Sequence, residues 1–485
     1  MKIFGFEITK RKKRNYEAAA IGRLYADWIL SQKPADEEIR YSLKTLRARS
    51  RNLVINNDYA RKFKKMVSIN VVGPQGIRLQ NKAVDANGQL DKKANDIIEA
   101  AWHEWNKRGN YDVTGTLSGL DGQRLFIETA AVDGEVIIRK IKGADTPFRF
   151  ALQFIEADYL DIDLNKELPN GNRIVMGVEF DKWGRPVAYY ILAKHPGTGY
   201  ASRHERIAAD EIIHAYVRER ITQSRGVPWM HSAMTRLHNI GKYEEAEIVA
   251  SRAAAAKMGI IKSPTGAEYV GDGMDTRGNI ITEMEPGVIE QLPQGMDFEL
   301  IDPTHPAGNF QPFIKTTLRG IASGLLVSYN SLAGDLESVN YSSIRAGFLE
   351  ERDCWRTVQA WMIDAYCNSI FPDWLSMAML SGAVQLPISK FKKFNAPKWQ
   401  PRTWAWVDPL KDAQANVVAL DNGLASRTDI AAEDGQDFEE LLIQLQQEKA
   451  LMQKYGIEFP RGAGQKVSLD ESYELAGNGG SKAKL

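Results

Sequence analysis

A chain of 485 residues is long enough to bury a sizeable core and, by the usual size of domains, predicts about two to four domains. Its 44% hydrophobic and 26% charged residues are ordinary for a soluble globular protein, and no run of about 18 apolar residues predicts a membrane span. The N-terminus lacks the apolar core of a secretory signal and two cysteines argue against a disulfide framework, so we expect a protein made and kept in the cytosol.

The net charge of zero is a cancellation between two distant parts of the chain. Residues 1–65 hold 17 Lys and Arg against 7 Asp and Glu, a net charge of +10. Residues 259–302 hold 2 Lys and Arg against 9 Asp and Glu, a net charge of −7. This asymmetry favours contact with a polyanion or electrostatic assembly. The alternative is a basic arm that is simply solvated.

The first half of the chain predicts helices followed by a mixed α/β region. Residues 1–40 are charged and predict a flexible arm, and apolar residues at helical spacing predict one or two helices from residue 41. A further helix carries Trp102 and Trp105 as core residues. Between about 124 and 220, β-branched or alternating runs broken by DG, NG and WGRP turns predict several hairpins.

The middle of the chain predicts two helices around a small acidic module. Helical spacing of apolar residues predicts helices within 228–258 and 306–326. Between them, residues 259–305 are rich in Gly, Pro and acidic residues and predict short strands and turns. Residues 327–341 are small, polar and slightly acidic, and predict a flexible loop.

The C-terminal part predicts mainly helices. A long amphipathic helix is expected from about 342 to 366, inside a segment that reaches 407 through a linker rich in Trp and Pro. Two or three further helices are expected in 408–456. Residues 457–485 have the composition of a disordered tail.

Residues capable of catalysis are few. The sequence holds no Walker A, GxGxxG, HExxH, GxSxG or paired CxxC motif. The carboxylate pairs Asp133/Glu135 and Glu156/Asp158 suit acid–base or metal chemistry, because residues two apart on a strand point to the same side. Each pair also has a structural interpretation, since Asp133-Gly134 fits a hairpin turn and Glu156 to Asp158 closes a strand. We therefore predict no catalytic residue, metal or cofactor.

Basic residues cluster before and within the first predicted helices, among them Arg40, Lys44, Arg47, Arg49 and Arg51. They fit either a surface that binds phosphates or a helix that pairs with an acidic surface on a neighbouring subunit. Aromatic residues are sparse between them, which weakens a base-stacking interpretation.

Several longer phrases follow one another in an order that no single short motif could imitate. They include "LRARSRNLVINNDYARKFKKMVSINVVGPQGIRLQ", "EIIHAYVRERITQSRGVPWM", "PTHPAGNFQPFIKTTLRGIASGLLVSYNSLAGD" and "NYSSIRAGFLEERDCW". Together they resemble the lambda-type phage portal proteins from about residue 40 to 455, and leave out the first 40 residues and the tail.

This resemblance implies an α+β, multi-domain portal fold that assembles as a ring, usually of twelve subunits, at one vertex of the capsid. Double-stranded DNA would pass through the ring without sequence specificity during packaging and ejection. The implied partners are the large terminase subunit, a head-tail adaptor, and the major capsid and scaffold proteins, with no membrane. The implied location is the virion, after synthesis in the host cytoplasm.

The resemblance also assigns the predicted segments to the regions of a portal subunit. These are an α/β wing (41–227 and 342–407), two stem helices (228–258 and 306–326), a clip (259–305), a tunnel loop (327–341) and a crown (408–456).

Three groups of site residues follow from that assignment. The tunnel loop would line the DNA channel through Ser328, Tyr329, Asn330, Ser331, Asp335, Glu337, Ser338 and Asn340. The clip would dock the terminase or adaptor through Glu283, Glu285, Glu290, Asp297 and Glu299. Candidate subunit contacts are Arg225, Arg345, Arg47 and Arg51.

Two other functions compete with the conduit. One is a metal-dependent DNA-processing enzyme that uses either carboxylate pair and holds DNA with the basic N-terminal region. The other is a monomeric adaptor that binds capsid or nucleic acid through its arm. Metal-dependent cleavage would distinguish the first, and stable assembly of many subunits would exclude the second.

Overall fold

The computed structural model describes residues 32–199, 203–255, 310–337, 341–404, 409–433 and 438–456, with short pieces at 2–3, 6–7, 23, 27, 259–262, 273–274, 276, 280–281 and 297–300. The chain divides into two units, Met1–Arg402 and Thr403–Leu485, and each is described by itself. In the described part of the chain, no helix is long and apolar enough to cross a membrane. The predicted tail at 457–485 and most of the predicted arm lie outside the described residues.

The helices of the first unit include the long segments expected from apolar periodicity. In chain order they are α1 (Ala35–Asn56), α2 (Asp58–Val71), α3 (Lys92–Trp105), α4 (Gly119–Asp133), α5 (Met234–Ala255), α6 (Phe310–Gly324), α7 (Tyr329–Ala333), α8 (Tyr341–Met362), α9 (Asn368–Leu380) and α10 (Phe391–Phe394).

The strands are short and pair antiparallel. They are β1 (Lys2–Ile3), β2 (Phe6–Glu7), β3 (Arg78–Asn81), β4 (Glu135–Lys142), β5 (Phe150–Ile155), β6 (Lys166–Glu167), β7 (Arg173–Val175), β8 (Val178–Phe180), β9 (Pro186–Leu192), β10 (His204–Ala208), β11 (Ile212–Tyr216), β12 (Gly259–Lys262), β13 (Gly273–Met274), β14 (Ile280–Ile281), β15 (Asp297–Leu300) and β16 (Pro397–Gln400). The larger sheets have the orders β11-β4-β5 and β10-β9-β8-β7-β6.

The first two helices form as predicted, but α1 begins at Ala35, before the expected start at 41. Three acidic residues occupy its first turn, where they favour the positive end of the helix dipole. The break before α2 comes from Asn57, whose side chain accepts a hydrogen bond from the Ala60 N–H at 3.0 Å. Leu43 and Phe63 are buried on the apolar faces of the two helices.

The predicted hairpins are confirmed at two of the three types of turn. The NG turn joins β6 to β7 and the WGRP turn joins β8 to β9, both in antiparallel pairs. A core that includes Ile137, Val178, Ile191 and Ile212 joins residues of both larger sheets. The β-branched residues whose runs predicted these strands therefore include those that pack the sheets together.

The DG turn at Asp133-Gly134 is not a hairpin, and this prediction was wrong. Gly134 has a φ of +89° and ends α4, donating its N–H to the Ala130 carbonyl at 3.0 Å. Glycine in the left-handed conformation ends helices as readily as it turns hairpins, so the dipeptide alone could not separate the two. A Cβ at Gly134 would lie 2.3 Å from the Val227 carbonyl carbon.

Aromatic side chains hold α3, α9 and β16 together. Trp105 and Trp374 are fully buried, and the Trp102 ring lies 4.8 Å from each of them between centroids. Trp399 of β16 completes the cluster at 5.6 Å from Trp102. The prediction of a core residue is confirmed for Trp105, whereas Trp102 is half-buried and packs on the cluster from its edge.

The two helices around the acidic module are present but shorter than predicted. Residues 228–233 form turns, so the first of them, α5, starts at Met234, and the second, α6, spans Phe310–Gly324. Tyr243 of α5 packs on Phe313 of α6 with ring centroids 4.8 Å apart. Between the helices, β12 pairs with β15 and β13 with β14, as expected of short strands.

The long helix after the polar segment runs as α8 from Tyr341 to Met362 and continues through a π-helical turn at Ile363–Cys367 into α9. Pro372 lies inside α9, shortly after the π-helical turn, and its missing N–H removes one hydrogen bond from the helix. In the second unit, α11 (Pro409–Asp421), α12 (Arg427–Glu433) and α13 (Phe438–Tyr455) confirm the predicted helices.

Replacing Gly134 tests the close approach of α4 to the 226–228 segment. We expect Gly134→Ala to lower the unfolding free energy by about 2–3 kcal/mol, because a left-handed φ and a backbone clash act together. Gly184→Ala is the matched control, since its φ is +77° but no described atom lies within 4 Å of the added Cβ, so about 1 kcal/mol is expected. Equal urea-unfolding midpoints for the two variants would contradict the packing described here.

Candidate functional site

Glu135, the first residue of β4, is the centre of a buried charge cluster. Its carboxylate is fully buried and accepts hydrogen bonds from Arg225 Nε at 2.9 Å, from the Gly226 N–H at 2.9 Å and from His214 Nε2 at 3.0 Å. Arg47 of α1 donates to the same carboxylate through Nη2. One carboxylate therefore joins α1, β4, β11 and the segment before α5.

The protonation of this cluster is set by competition between burial and charge. Burial opposes a charged Glu135, but Arg225 and Arg47 hold the pKa of its carboxylate well below its usual range. Burial lowers the pKa of His214 below its usual value and outweighs the opposite effect of Glu135, so the imidazole is neutral at pH 7. The cluster is thus an ionised Glu135 between two arginines, with a neutral histidine as an additional donor.

A second layer of the cluster accounts for the other predicted carboxylates. Arg51 donates to both oxygens of Asp133 at 2.8 Å and also to Asp158. Asp158 lies 3.6 Å from Arg47 as well. The pair Asp133/Glu135 is therefore neutralised by arginines, and its two carboxylates are held by different partners instead of facing one site.

Glu156, Asp158 and His195 form the one group in the described part of the chain whose side chains could together hold a metal ion. His195 Nε2 lies 3.5 Å from Glu156 and 3.7 Å from Asp158. Its Nδ1 accepts a hydrogen bond from the Gly197 N–H at 3.0 Å, so in the neutral ring the proton is on Nε2. The Nε2–H of His195 faces Asp158, and this carboxylate is already bound to Arg51. This arrangement favours a cluster of ion pairs over a site for a metal cation.

The structure corrects the expectation that Arg47 and Arg225 lie at a subunit surface. Their residues are 3% and 0% exposed within a single chain, because each guanidinium is used to neutralise Glu135. Arg225 also donates to the carbonyls of Leu160 at 3.2 Å and Met176 at 2.8 Å. Arg51 and Arg345 are partly exposed, and their assignment to a subunit contact stays a prediction.

The polar segment that was predicted as a flexible loop begins with a short helix, α7, and this part of the prediction was wrong. Ser328 caps α7 by accepting a hydrogen bond from the Ser331 N–H at 3.1 Å, and Gly334 ends it at a φ of +71°. Glu351 of α8 accepts from the Ser328 N–H at 3.2 Å and the Ser331 hydroxyl at 2.7 Å. The serines that suggested a loop are therefore helix-capping groups bound to the next helix.

Opposite charges hold the second half of the segment against α6. Lys315 Nζ lies 3.3 Å from Asp335 and 3.1 Å from Glu337. Both carboxylates raise the pKa of the lysine, and Glu337 has the larger effect. The Tyr329 hydroxyl donates a hydrogen bond to Asp335 at 2.7 Å. This hydrogen bond lowers the pKa of the Asp335 carboxyl more than Lys315 does. Segment 328–337 thus carries more acidic than basic charge even after Lys315 is counted.

Some predicted site residues lie outside the described residues. These are Ser338 and Asn340 of the polar segment and Glu283, Glu285 and Glu290 of the acidic module. Asp297 and Glu299 lie on β15, paired in register with Lys262 and Ile260 of β12. The sequence analysis missed Glu351 and Lys315. One signal for Glu351 was its i, i+4 spacing from Trp355, because residues at this spacing meet on a helix surface. Trp355 Nε1 does donate to Glu351 at 3.1 Å.

Comparison with known proteins identifies the family. Residues 21–359 match the sequence pattern of the lambda family of phage portal proteins, and the chain belongs to this family. The match starts before the expected residue 40, so part of the predicted arm lies within the family's common sequence. The class defined by this match is the phage portal protein.

Individual relatives agree with that assignment. The chain is 36% identical to the "Probable portal protein" of Halomonas phage phiHAP-1 over 93% of this chain and 89% of that one. It is 21% identical to the "Portal protein" of Escherichia phage N15 over 90% of this chain and 89% of that one. A chain from the neck of an empty GTA particle has a TM-score of 0.46 at 15% identity, covering 82% of this chain and 94% of that chain.

Acidification tests the neutral, buried His214. The pKa of His214 is lowered in the folded state, so below pH 6.5, its ordinary pKa, the unfolded chain binds a proton that the folded chain does not. The contribution of His214 to the unfolding free energy is therefore fully present above that pH and is lost as the pH falls. We expect the unfolding free energy of the unmodified chain to fall between pH 7 and 5.5 more steeply than that of His214→Gln, by at most about 1.4 kcal/mol per pH unit. His238→Gln, on the exposed surface of α5, should follow the unmodified chain. Parallel curves for the unmodified chain and His214→Gln, read by tryptophan fluorescence in urea, would contradict the assignment.

Removing Glu351 tests whether α8 holds α7 in place. We expect Glu351→Ala to speed amide hydrogen exchange in residues 329–333 by about tenfold or more, because two hydrogen bonds to a charged acceptor are lost. Glu350→Ala changes the exposed neighbour on the same helix and should leave exchange there unchanged. Unchanged exchange in both variants would show that the polar segment is ordered by other contacts.

Proposed function

We propose that the chain assembles into a ring at one vertex of the capsid, through which double-stranded DNA enters during packaging and leaves during ejection. Membership of the portal family is the observation that carries this proposal. Twelve subunits are the number expected from the family resemblance. The proposed location is the virion, after synthesis in the host cytoplasm.

Segment 328–337 is the part of the chain that we assign to the channel wall. It offers hydroxyl and amide groups from Ser328, Asn330 and Ser331, and acidic groups from Asp335 and Glu337. A wall of lysines would bind phosphates with a large gain from counterion release and would slow a moving duplex. Lys315 is paired with both carboxylates, which compete with DNA for it. Two further cations lie against the segment: Arg319 is 5.5 Å from the centroid of the Tyr329 ring, and Lys62 Nζ lies beside Gly334. The segment is therefore suited to weak, exchangeable contact with a polyanion.

Residues 328–337, which we call the channel segment, are held by defined contacts, so we expect them to act differently from a flexible loop. Glu351 holds its first half on α8, and Lys315 holds its second half on α6, so the two ends of the segment are attached to different helices. A segment attached in this way follows relative movement of α6 and α8. We propose that adjustment to the passing duplex comes from these helices, with α7 kept as a unit.

The remaining regions follow the family assignment and stay proposals. Residues 41–227 and 342–407 form the wing, α5 and α6 the stem, residues 259–305 the clip, and α11 to α13 the crown. The acidic clip, with a net charge of −7 over residues 259–302, suits a terminase or adaptor that presents a basic docking face. The major capsid and scaffold proteins are the proposed partners of the outer surface.

The enzyme alternative loses its main support. Asp133 and Glu135 serve different arginines, and the Asp158 carboxylate is bound by Arg51. These contacts explain why carboxylates occur at this spacing without a reaction. We therefore propose a structural role for both predicted pairs.

Charge reversal in the channel segment tests the conduit. We expect Asp335→Lys with Glu337→Lys to slow packaging by about tenfold or more at low salt, with partial recovery as salt is raised. The control is Asp335→Asn with Glu337→Gln, which breaks the same contacts and frees Lys315 but adds no cations, so we expect a clearly smaller loss of packaging rate than in the lysine variant. The measurement is the amount of nuclease-protected DNA in heads that carry each variant.

The pair of variants separates two explanations. Equal loss in both would show that the contacts with Lys315 matter and that the charge of the wall does not. Normal packaging in the lysine variant would contradict the assignment of this segment to the channel.

A further inference from the structure

An apolar groove lies beside the start of the channel segment. It has a volume of about 510 Å³, within the range of about 300–1,000 Å³ that is typical of sites for drug-sized groups. Its walls come from four places: Phe63 of α2, the segment 217–232, the end of α6 with the residues after it at 324–326, and one face of α8. We call it the Trp229 groove, after the indole that lies 6.0 Å from Trp361 between ring centroids.

The groove has an exposed apolar rim of the kind that another element covers. Leu326 on this rim is 71% exposed at a φ of +56°, a conformation that is uncommon for a leucine. An occupant that brings apolar side chains would remove this surface from water.

The first long stretch of described residues begins at residue 32, close to one wall of this groove. Arg220 donates from Nη2 to the Lys33 carbonyl at 3.2 Å and from Nη1 to Glu38 at 2.8 Å. Ser224 donates to Asp36 from its N–H at 2.8 Å and from its hydroxyl at 2.7 Å. Val217 and Glu219, which line the groove, belong to the same short segment. Lys33, near the start of the described chain, is therefore bound to the segment that forms one wall of the groove.

The preceding residues have the composition that the groove requires. Apolar residues at Ile21, Leu24, Tyr25 and Trp28 follow the i, i+3, i+4, i+7 spacing of an amphipathic helix. Arg23 and Asp27, on the opposite face of such a helix, are exposed. The family's common sequence starts at residue 21, so this stretch belongs to the part of the sequence that the family shares.

We propose that residues 21–28 dock in the Trp229 groove of their own chain, with Trp28 as the central anchor. Trp28 precedes Lys33 by five positions, and five extended steps span about 17 Å, enough to reach the groove from its rim. Docking also fixes the point from which the basic tract 10–14 leaves the fold, next to the base of the channel segment.

Cys354 gives a direct reporter for this contact, because it lines the groove and is half-buried. The chain has two cysteines, and burial raises the pKa of the other, Cys367, which keeps it unreactive. We expect Trp28→Ala to speed maleimide modification of Cys354 in the assembled full-length protein by about tenfold or more, since an anchoring indole is lost. Asp27→Ala, on the opposite face of the segment, should leave the rate unchanged.

Two results would overturn the proposal. Equal rates for Trp28→Ala and the unmodified protein, with assembly intact by sizing, would show that the segment does not cover the groove. A second variant, Leu24→Cys, tests whose segment is bound: with diamide as oxidant, a disulfide to Cys354 within one chain runs as a monomer on a non-reducing gel. Disulfide-linked dimers and larger species would place a neighbouring subunit's segment in the groove, and no disulfide would leave the groove without this occupant.

Discussion

The ionised Glu135 between Arg225 and Arg47 is the interaction on which the rest of the first unit depends. It joins α1, β4, β11 and the chain entering α5 at one fully buried carboxylate. Removing one partner of such a pair leaves an uncompensated buried charge and costs about 3–5 kcal/mol, whereas replacing all of it with apolar residues can be neutral. The cluster therefore specifies how these elements meet more than it adds to stability.

The cluster also positions the channel segment, through contacts of α5 and α6. The 225–228 segment is fixed by Arg225 and by the contact of Gly134 with Val227, and α5 begins shortly afterwards at Met234. Tyr243 holds α6 on α5, and α6 carries Lys315, which binds the acidic end of the channel segment. The charges that line the proposed channel are thus placed by a chain of contacts that starts at a neutralised cluster in the core.

Much of the fold could be predicted from periodicity and turn residues. Apolar spacing predicted the helices up to Val71 and from 341 onward, and the NG and WGRP turns predicted hairpins, because these signals lie within a few neighbouring residues. The buried ion pairs could not be predicted, since Arg47, Glu135 and Arg225 are far apart in sequence and only the fold brings them together. The short α7 was missed for a related reason: Ser328 and Ser331 favour a loop or a helix cap equally, and Glu351 decides between them from another helix.

The central claim, that this portal-family chain functions as a ring, is tested most directly by the mass of the purified protein in solution. Light scattering behind a sizing column, with negative-stain images of the peak, gives both mass and shape. The account predicts an annular particle with a central hole and a mass near twelve times 54.4 kDa. A protein that stays monomeric at high concentration and low salt would contradict the conduit and favour the adaptor.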